Sequence, residues 1–340
     1  MKLFAKFLLM FWVLVSQAQV GGESIYQFLN ISTAARQIAL GGETLTLVDD
    51  VNQPMYNPAT INEKMNNQLS ANYTRYLAGI TIGSVSYAKK ISERFGVLHS
   101  SIQYLDYGTL IGADEQGLET GNFNASDIAI SVGYALSLPI KDMYFGVNLK
   151  FINSSIANFS SVGLATDVAL LYNNLTKPFV VTLVFRNIGT QIKTFNGLRE
   201  NLPFKVVLGA SYKLKYVPLK WYGTIDNLQQ WDVSVSNPSN QTIDLDGTAT
   251  EESISFFNNM FRHIIVGAEL FPERAINLRI GYNFRRSQEL ALQNVRTFNG
   301  LSVGFGLKMR RYKLNYAYSN VHTASNVSTF SLQINLDQKD

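Results

Sequence analysis

From about residue 68 onward the chain alternates apolar and polar residues in one segment after another. On an extended strand this period of two places the apolar side chains on one face and the polar ones on the other. Fourteen segments show it: 69–76, 79–90, 95–106, 125–138, 143–153, 161–172, 179–187, 203–216, 219–228, 260–271, 275–285, 300–310, 311–319 and 328–336. In 203–216, for example, Phe204, Val206, Leu208, Ala210, Tyr212, Leu214 and Tyr216 alternate with Lys205, Val207, Gly209, Ser211, Lys213 and Lys215. Segment 79–90 changes phase midway, from Ile80 and Ile82 to Val85 and Tyr87, which predicts a bulge or a shifted strand boundary. Most runs are far longer than the globular norm of about 5–6 residues and match the roughly 9–11 of a tilted strand crossing a bilayer.

The connections distinguish a soluble sandwich from a membrane barrel, because outer-membrane barrels alternate short periplasmic turns with longer surface loops. If the first strand runs outward, the periplasmic connections fall near 91–94, 139–142, 173–178, 216–218, 272–274 and 310–311, all short, and Pro139, Pro178, Pro218 and Pro272 punctuate four of them. The outward connections, 107–124, 154–160, 188–202, 229–259, 286–299 and 320–327, are mostly longer; only the first, around Leu77 and Ala78, breaks the rule. Only 16% of the 340 residues are charged, against about 25% in a soluble domain. A mean hydropathy of +0.01 excludes a bundle of membrane helices, each of which needs about 20 apolar residues. The fold class is therefore all-β: a transmembrane antiparallel β-barrel of about 14 strands in the bacterial outer membrane.

Met1 to Ala18 carries Lys2 and Lys6, the apolar run Phe7 to Val15 and the small-x-small site Ser16-Gln17-Ala18, which reads as a secretory signal peptide over 1–18. The absence of cysteine fits an exported protein that does without disulfides. Residues 19–67 lack the alternation. Ser32 or Thr33 would cap a helix from Ala34 to Leu40 stopped by Gly41-Gly42, and Asn57 with Pro58 would open a second helix to about Asn66. Small helices ahead of a barrel too wide to be filled by its own side chains predict an N-terminal plug over 19–67 and a barrel over 68–340.

Catalytic and cofactor chemistry finds no support. Ser86-Tyr87-Ala88-Lys89 has serine-acylase spacing, but on a strand positions i and i+3 face opposite ways. His99, His263 and His322 are isolated, so no metal motif is present, and no phosphate-binding glycine loop follows a strand. A net charge of +4 gives no reason to expect nucleic acid. The basic series Lys205, Lys213, Lys215, Arg279, Arg285, Lys308, Arg310 and Lys313 reads as a lumen lining paired with plug acids such as Glu43, Asp49 and Asp50, or as an anion path or partner contact.

Connection 229–259 is the longest. It holds Asp232, Asp244, Asp246, Glu251 and Glu252 with no Lys or Arg, and apolar groups including Trp231, Phe256 and Phe257. Loops well beyond about 12–15 residues are usually functional or disordered. These eight residues form the candidate partner-binding set, in which acids steer a basic partner and aromatics supply affinity; the competing expectation is a lid over the barrel mouth.

The stretch Tyr26-Gln27-Phe28-Leu29-Asn30, then Ala34-Ala35-Arg36-Gln37-Ile38-Ala39-Leu40-Gly41-Gly42, Asp49-Asp50-Val51-Asn52 and Tyr56-Asn57-Pro58-Ala59 resembles the PorV/PorQ group of Bacteroidetes type IX secretion proteins, PorQ more closely than PorV. The plug motif Asn57, Pro58 and Ala59 and the strand count also resemble the wider FadL-like barrels. The resemblance implies a non-enzymatic outer-membrane component of type IX secretion and surface attachment. It implies outer-membrane lipids as surroundings and, as partners, a PorZ-like surface protein with PorU- and PorV-like proteins in an attachment complex. Two alternatives stay open: a FadL-like transporter of hydrophobic molecules and a PorV-like carrier of secreted substrates.

Overall fold

The computed structural model describes residues 24–174, 176–233, 242, 243, 249, 250, 254–290, 298–322 and 325–337; the expected signal peptide lies outside them. Fourteen antiparallel strands close into one barrel. They are β1 (Gln68–Arg75), β2 (Thr81–Ser92), β3 (Gly96–Ala113), β4 (Glu119–Ser137), β5 (Met143–Ile156), β6 (Phe159–Asn173), β7 (Phe179–Lys193), β8 (Lys205–Lys213), β9 (Leu219–Ile225), β12 (Ile264–Leu270), β13 (Ile276–Asn283), β14 (Leu301–Lys308), β15 (Tyr312–His322) and β16 (Ser325–Asn335). β1 pairs with both β2 and β16, from Gln68↔Asn335 to Arg75↔Ser328. The two-residue strands β10 (Thr242–Ile243) and β11 (Ala249–Thr250) pair only with each other.

Alternation is realised in the inverted sense that a bilayer requires, apolar outward and polar inward. Leu149 and Phe151 on β5 are exposed while Asn148 and Lys150, which alternate with them, are buried. Each of the fourteen alternating segments corresponds to one strand, but some boundaries move. In β2 the register to β1 is unbroken, Gln68↔Ala88 to Arg75↔Thr81. Ile80 belongs to the turn before the strand, and Ile82 faces inward into an apolar cluster with Tyr26 and Phe28. The phase change of 79–90 is thus a strand boundary plus one apolar plug contact. The expected loop 107–124 is mostly strand: β3 and β4 continue as a projecting ribbon closed by 114–118, with a register shift between Asp106 and Thr109. The start of segment 260–271 is a helix, Phe256–Arg262, and β12 begins only at Ile264.

The lumen is filled by residues 24–67. A helix forms at Ala35–Ala39, as expected, but its N-cap is Ala34 and neither Ser32 nor Thr33. The orphan amide of Ala35 instead donates to Ser331 Oγ of β16 at 2.8 Å, so the barrel wall caps the plug. Gly41 and Gly42, at φ 103° and 101°, take the left-handed backbone that ends the helix. The expected second helix is two separate 3-10 turns, Pro58–Thr60 and Glu63–Met65, capped by Asn57 and Asn62.

Glycines in the wall let the plug backbone press directly on the sheet. A Cβ on Gly281 of β13 would lie 2.1 Å from Gly41 N, and one on Gly146 of β5 would lie 2.2 Å from Ala59 N. Both clashes are with backbone, which no side-chain rotation relieves. Gly281→Val is therefore expected to unseat the plug while leaving the hydrogen-bonded wall closed. Limited proteolysis should cut 24–67 faster than in the parent protein, with heat-modifiable gel mobility retained; parental protease resistance would overturn this.

Candidate functional site

Two features have functional geometry: the charged seam holding the plug, and the long-connection end of the barrel. The seam starts with Arg36 on the plug helix. Its guanidinium spans Asp49 at 2.9 Å and Glu269 of β12 at 2.8 Å. Glu269 also accepts from Arg279 of β13 at 2.8 Å and from the Tyr222 hydroxyl at 2.9 Å. The second knot is Glu43, which pairs with Arg186 of β7 at 3.0 Å and with Lys205 of β8. Lys205 and Arg285 both reach Asp226, at 3.2 and 2.5 Å.

Arg186 is in phase with the inward positions Val180, Thr182 and Val184 of β7 and sits opposite Lys205 in an unbroken β7–β8 register, while a bulge beside it turns Asn187 inward as well. The β6–β7 register shifts between Thr166 and Val168, and both Arg186 and its neighbour Asn187, at φ 58°, are buried. A bulge re-aims side chains in this way. Arg186 also donates to Leu29 O at 2.7 Å and lies over the Tyr56 ring, while Asn187 N donates to Asp167 at 2.9 Å.

The basic series is accordingly divided. Lys205 meets the plug acid Glu43, as expected, but Arg279 and Arg285 pair with strand-borne Glu269 and with Asp226, and Lys213 pairs with Glu273 at the surface. Lys308 and Lys313 sit at the opposite, short-turn end, where with Asp49 and Asp50 they line a cavity of about 50 Å³. The series is no continuous anion path, since three of its members are neutralised in the seam.

Burial alone would raise the Glu43 carboxyl, but Lys205 and Arg186 more than offset it, and its pKa lies below the ordinary glutamate value. Asp49 behaves likewise: burial raises it, and Arg36, then Lys220 and Lys313, outweigh burial and hold it low.

Of the plug motif, Asn57 accepts from Ala59 N at 3.1 Å, and its amide donates to Leu45 O at 2.8 Å and to Thr182 Oγ1 of β7 at 3.0 Å. Pro58 and Ala59 fill the space left open by Gly146. The motif is therefore a joint between plug and wall, and more than a helix start.

At the other end, a polar vestibule of about 520 Å³ opens above the plug, lined by Glu43, Lys205, Arg285, Arg286, Asn227 and Tyr76 among others. Beside it stand the candidate aromatics. Trp231 stacks on Phe256 at 4.8 Å and on His263 at 5.6 Å, and Phe256 meets Phe257 edge-on at 5.7 Å. They are 51%, 62% and 68% exposed. The Trp231 carbonyl accepts from Asn259 Nδ2 at 2.6 Å and faces His263 Nε2 at 2.9 Å, while His263 Nδ1 faces Asp226 O at 2.7 Å. Ser255 caps the helix carrying the phenylalanines through Asn258 N. Asp232 adjoins this ledge and is exposed. Asp244, Asp246, Glu251 and Glu252 lie outside the described residues.

The profile of the type IX secretion system protein PorV matches residues 17–219. The chain is therefore an outer-membrane β-barrel of the type IX secretion machinery. It belongs to the PorV family. No curated protein matches it. Among solved structures it is similar to the toluene transporter TbuX of Ralstonia pickettii, at 10% identity and a TM-score of 0.54, over 91% of this chain and 99% of that one. It is also similar to the TodX monoaromatic hydrocarbon channel, at 14% and 0.51 over 91% and 98%. A Pseudomonas aeruginosa FadL homologue aligns at 9% and 0.51 over 89% and 98%. At these identities the likeness is one of fold.

Sequence reasoning missed Arg36, Arg186, Asp167, Asp226 and Glu269 as seam residues. A charge at an inward position of a strand is the signal that marks Glu269 of Ile264–Leu270, Asp167 of β6 and Arg186 of β7, whereas Arg36 lies on the plug helix and Asp226 just past β9.

Two outcomes follow from the seam. Because its folded pKa is depressed, Glu43 contributes stability that is full above about pH 4.3 and lost as pH falls through the lower folded value. Plug closure, read as low conductance in a planar bilayer, should hold at neutral pH and fail in acid below that range. Glu43→Gln should conduct already at pH 7 and show a smaller acid step; an acid step equal to the parent's would show that Glu43 is not the titrating lock. Asn57→Ala removes a cap, leaves the buried Leu45 carbonyl without its side-chain donor and breaks the bond to Thr182, whose hydroxyl still donates to Leu170 O, costing about 2–4 kcal/mol of plug stability. Hydrogen exchange should accelerate within 43–65 while strand amides remain protected.

Proposed function

We propose that this barrel is a PorQ-like, non-enzymatic anchor: it holds a PorZ-like surface protein at its long-connection end, within an attachment complex that includes PorU- and PorV-like proteins. The observation that carries this reading is the aromatic ledge of Trp231, Phe256 and Phe257. A stacked, hydrogen-bonded and largely exposed aromatic group costs little side-chain entropy to bury and is the kind of surface at which binding energy concentrates. The neighbouring acids of 229–259 would add steering of a basic partner.

The plug favours holding over conduction. Two cavities between plug and wall measure about 10 and about 50 Å³, and the vestibule above is polar, with Arg285, Arg286 and Lys205 on its walls. A transporter of hydrophobic molecules needs an apolar cavity beside the plug, whereas the large apolar recess, of about 650 Å³, lies on the outside of β14, β15, β16 and β1. A carrier of secreted substrates remains the second reading, since it would use the same exposed ledge.

Orientation is tested with single cysteines in this cysteine-free chain: an impermeant thiol reagent on intact cells should label Gly247→Cys and spare Lys141→Cys, and the reverse pattern would invert the topology. For docking, Trp231→Ala should weaken retention of the surface partner by about 30-fold without changing barrel mobility on gels. Deletion of 236–252 separates docking from closure. If the partner stays cell-attached while the barrel becomes permeable to small solutes, that connection is a lid; loss of the partner with permeability unchanged supports the anchor. Co-purification with many secreted substrates instead of one surface partner would favour the carrier.

A further inference from the structure

Among the outward connections the first is the exception: β1 and β2 are joined by the single turn Leu77–Gly79. β2 begins at Thr81, opposite Asp106 of β3, and beyond that pair β3 runs on without it. Tyr107–Ala113 therefore pairs with β4 on one side, from Thr109↔Asn124 to Ala113↔Glu119, and on the other side has no strand among the described residues. The result is a free sheet edge standing over the β1–β2 turn.

Exposed edges are ordinarily guarded by lysine, proline or bulges. Tyr107–Ala113 holds no lysine, no proline and no charge of either sign. Its bulge, at Gly108 with φ 73°, sits at the base, and from Thr109 to Gly112 the register to β4 runs without a step. Leu110 and Ile111 are sequence neighbours, hence on opposite faces of the ribbon, and both are exposed. An unguarded edge of this kind is a template on which an extended peptide adds as a further strand through main-chain hydrogen bonds.

Charge selects the strand. The uncharged stretch is bracketed by acids, Asp106 at its base and Asp114 and Glu115 at its tip, with Glu119 returning on β4, and residues 95–140 contain no Lys or Arg. Among the described residues no ion pair engages Glu115 or Glu119, and the cation of Arg75 is two strands away, beyond Thr81. A second copy of the chain is a poor occupant. Antiparallel pairing of two such edges centred on Leu110 sets Asp106 of each copy opposite Asp114 of the other, and parallel pairing in register sets every acid opposite itself; like charges so placed are destabilising.

We propose that the edge Tyr107–Ala113 is a β-addition site for an extended segment of a partner protein, apolar in its middle and carrying Lys or Arg at its ends, which lies antiparallel to β3 and continues the line of β2 above the β1–β2 turn. The site uses no residue of the aromatic ledge and does not rest on the anchor reading.

The test uses the full chain in neutral detergent and, as probe, a synthetic peptide of alternating valine and threonine with lysines at both ends. At saturation the peptide should slow amide exchange within 107–113 about 10-fold. The same peptide N-methylated at successive central residues, so that neither of its edges can donate, should give no protection, and neither should one with glutamates in place of the lysines. E115Q/E119Q, which removes two carboxylates that hold nothing else, should raise the half-saturating concentration about 5-fold. I111K, an edge guard placed on the exposed ribbon, should raise it about 10-fold with heat-modifiable gel mobility retained. E200Q, on another outward connection, should bind as the parent does. Equal protection by the N-methylated or the glutamate peptide would overturn the proposal, as would parental binding by I111K. Protection of 107–113 that appears without peptide and grows with protein concentration would also overturn it, since the occupant would then be a second copy.

Discussion

The contact on which the rest depends is the pairing of β1 with β16. In hydrocarbon every backbone N–H and C=O must be satisfied within the protein, so a sheet can span only if it closes. Here closure runs over eight register pairs from Gln68↔Asn335 to Arg75↔Ser328 and is extended past the strand by Leu336 N donating to Asn67 O. Because β1 begins at Gln68 on the short-turn end, the preceding segment is delivered to the lumen from that side. Closure therefore decides both that there is a lumen and that residues 24–67 are the chain available to fill it.

Filling the lumen is a problem of charge as much as of volume. An inward-facing carboxylate or guanidinium buried without a partner is strongly unfavourable, and removing one member of a buried pair costs about 3–5 kcal/mol. The seam answers this by sharing: Glu269 receives Arg36 and Arg279, Glu43 receives Arg186 and Lys205, and Asp226 receives Lys205 and Arg285. The contacts that Arg36 and Glu43 bring from the plug join residues 143 to 233 positions apart, so these two knots close only once the wall strands that face them are in place. The glycines at 146 and 281 complete the fit by letting plug backbone lie against sheet backbone, close enough for the Asn57 amide to reach Thr182. Neutral packing and ion pairs act on the same few segments, which is why single changes at Glu43, Asn57 or Gly281 are expected to move the plug as a unit.

The wall was legible in the sequence because its determinant is local and repeated: a period of two over every strand, punctuated by prolines at short turns. The plug was legible only in outline. The Gly41-Gly42 stop and the Asn57 cap are local and were readable. The cap of the first helix was not, because Ser331, 296 residues away, supplies it. Asn187 was hidden for a related reason: the bulge that turns it inward next to Arg186 depends on Asp167 meeting the Asn187 amide across the strand pair, and nothing in the periodicity of 179–193 encodes that, whereas Arg186 itself stands in phase with Val180, Thr182 and Val184. Segment 107–124 lies between the alternating runs 95–106 and 125–138, yet β3 and β4 continue into it as a ribbon whose register shifts between Asp106 and Thr109, a cross-strand adjustment that the local pattern does not encode.

The same contrast bears on what a plugged barrel of this kind is suited to do. With the seam intact, conduction would require the Glu43 knot at least to open and several buried charges to be exposed at once, an outlay larger than the roughly 1–3 kcal/mol typical of ligand-driven coupling between sites. Holding a partner requires no opening. The ledge of Trp231, Phe256 and Phe257 is braced from below by His263 and Asn259 through the Trp231 carbonyl, and His263 in turn faces Asp226 O, the backbone of a seam residue. In the proposed role, a partner seated on the ledge would be connected to the wall through these hydrogen bonds, and the same rigidity that opposes conduction would make the barrel a firm support.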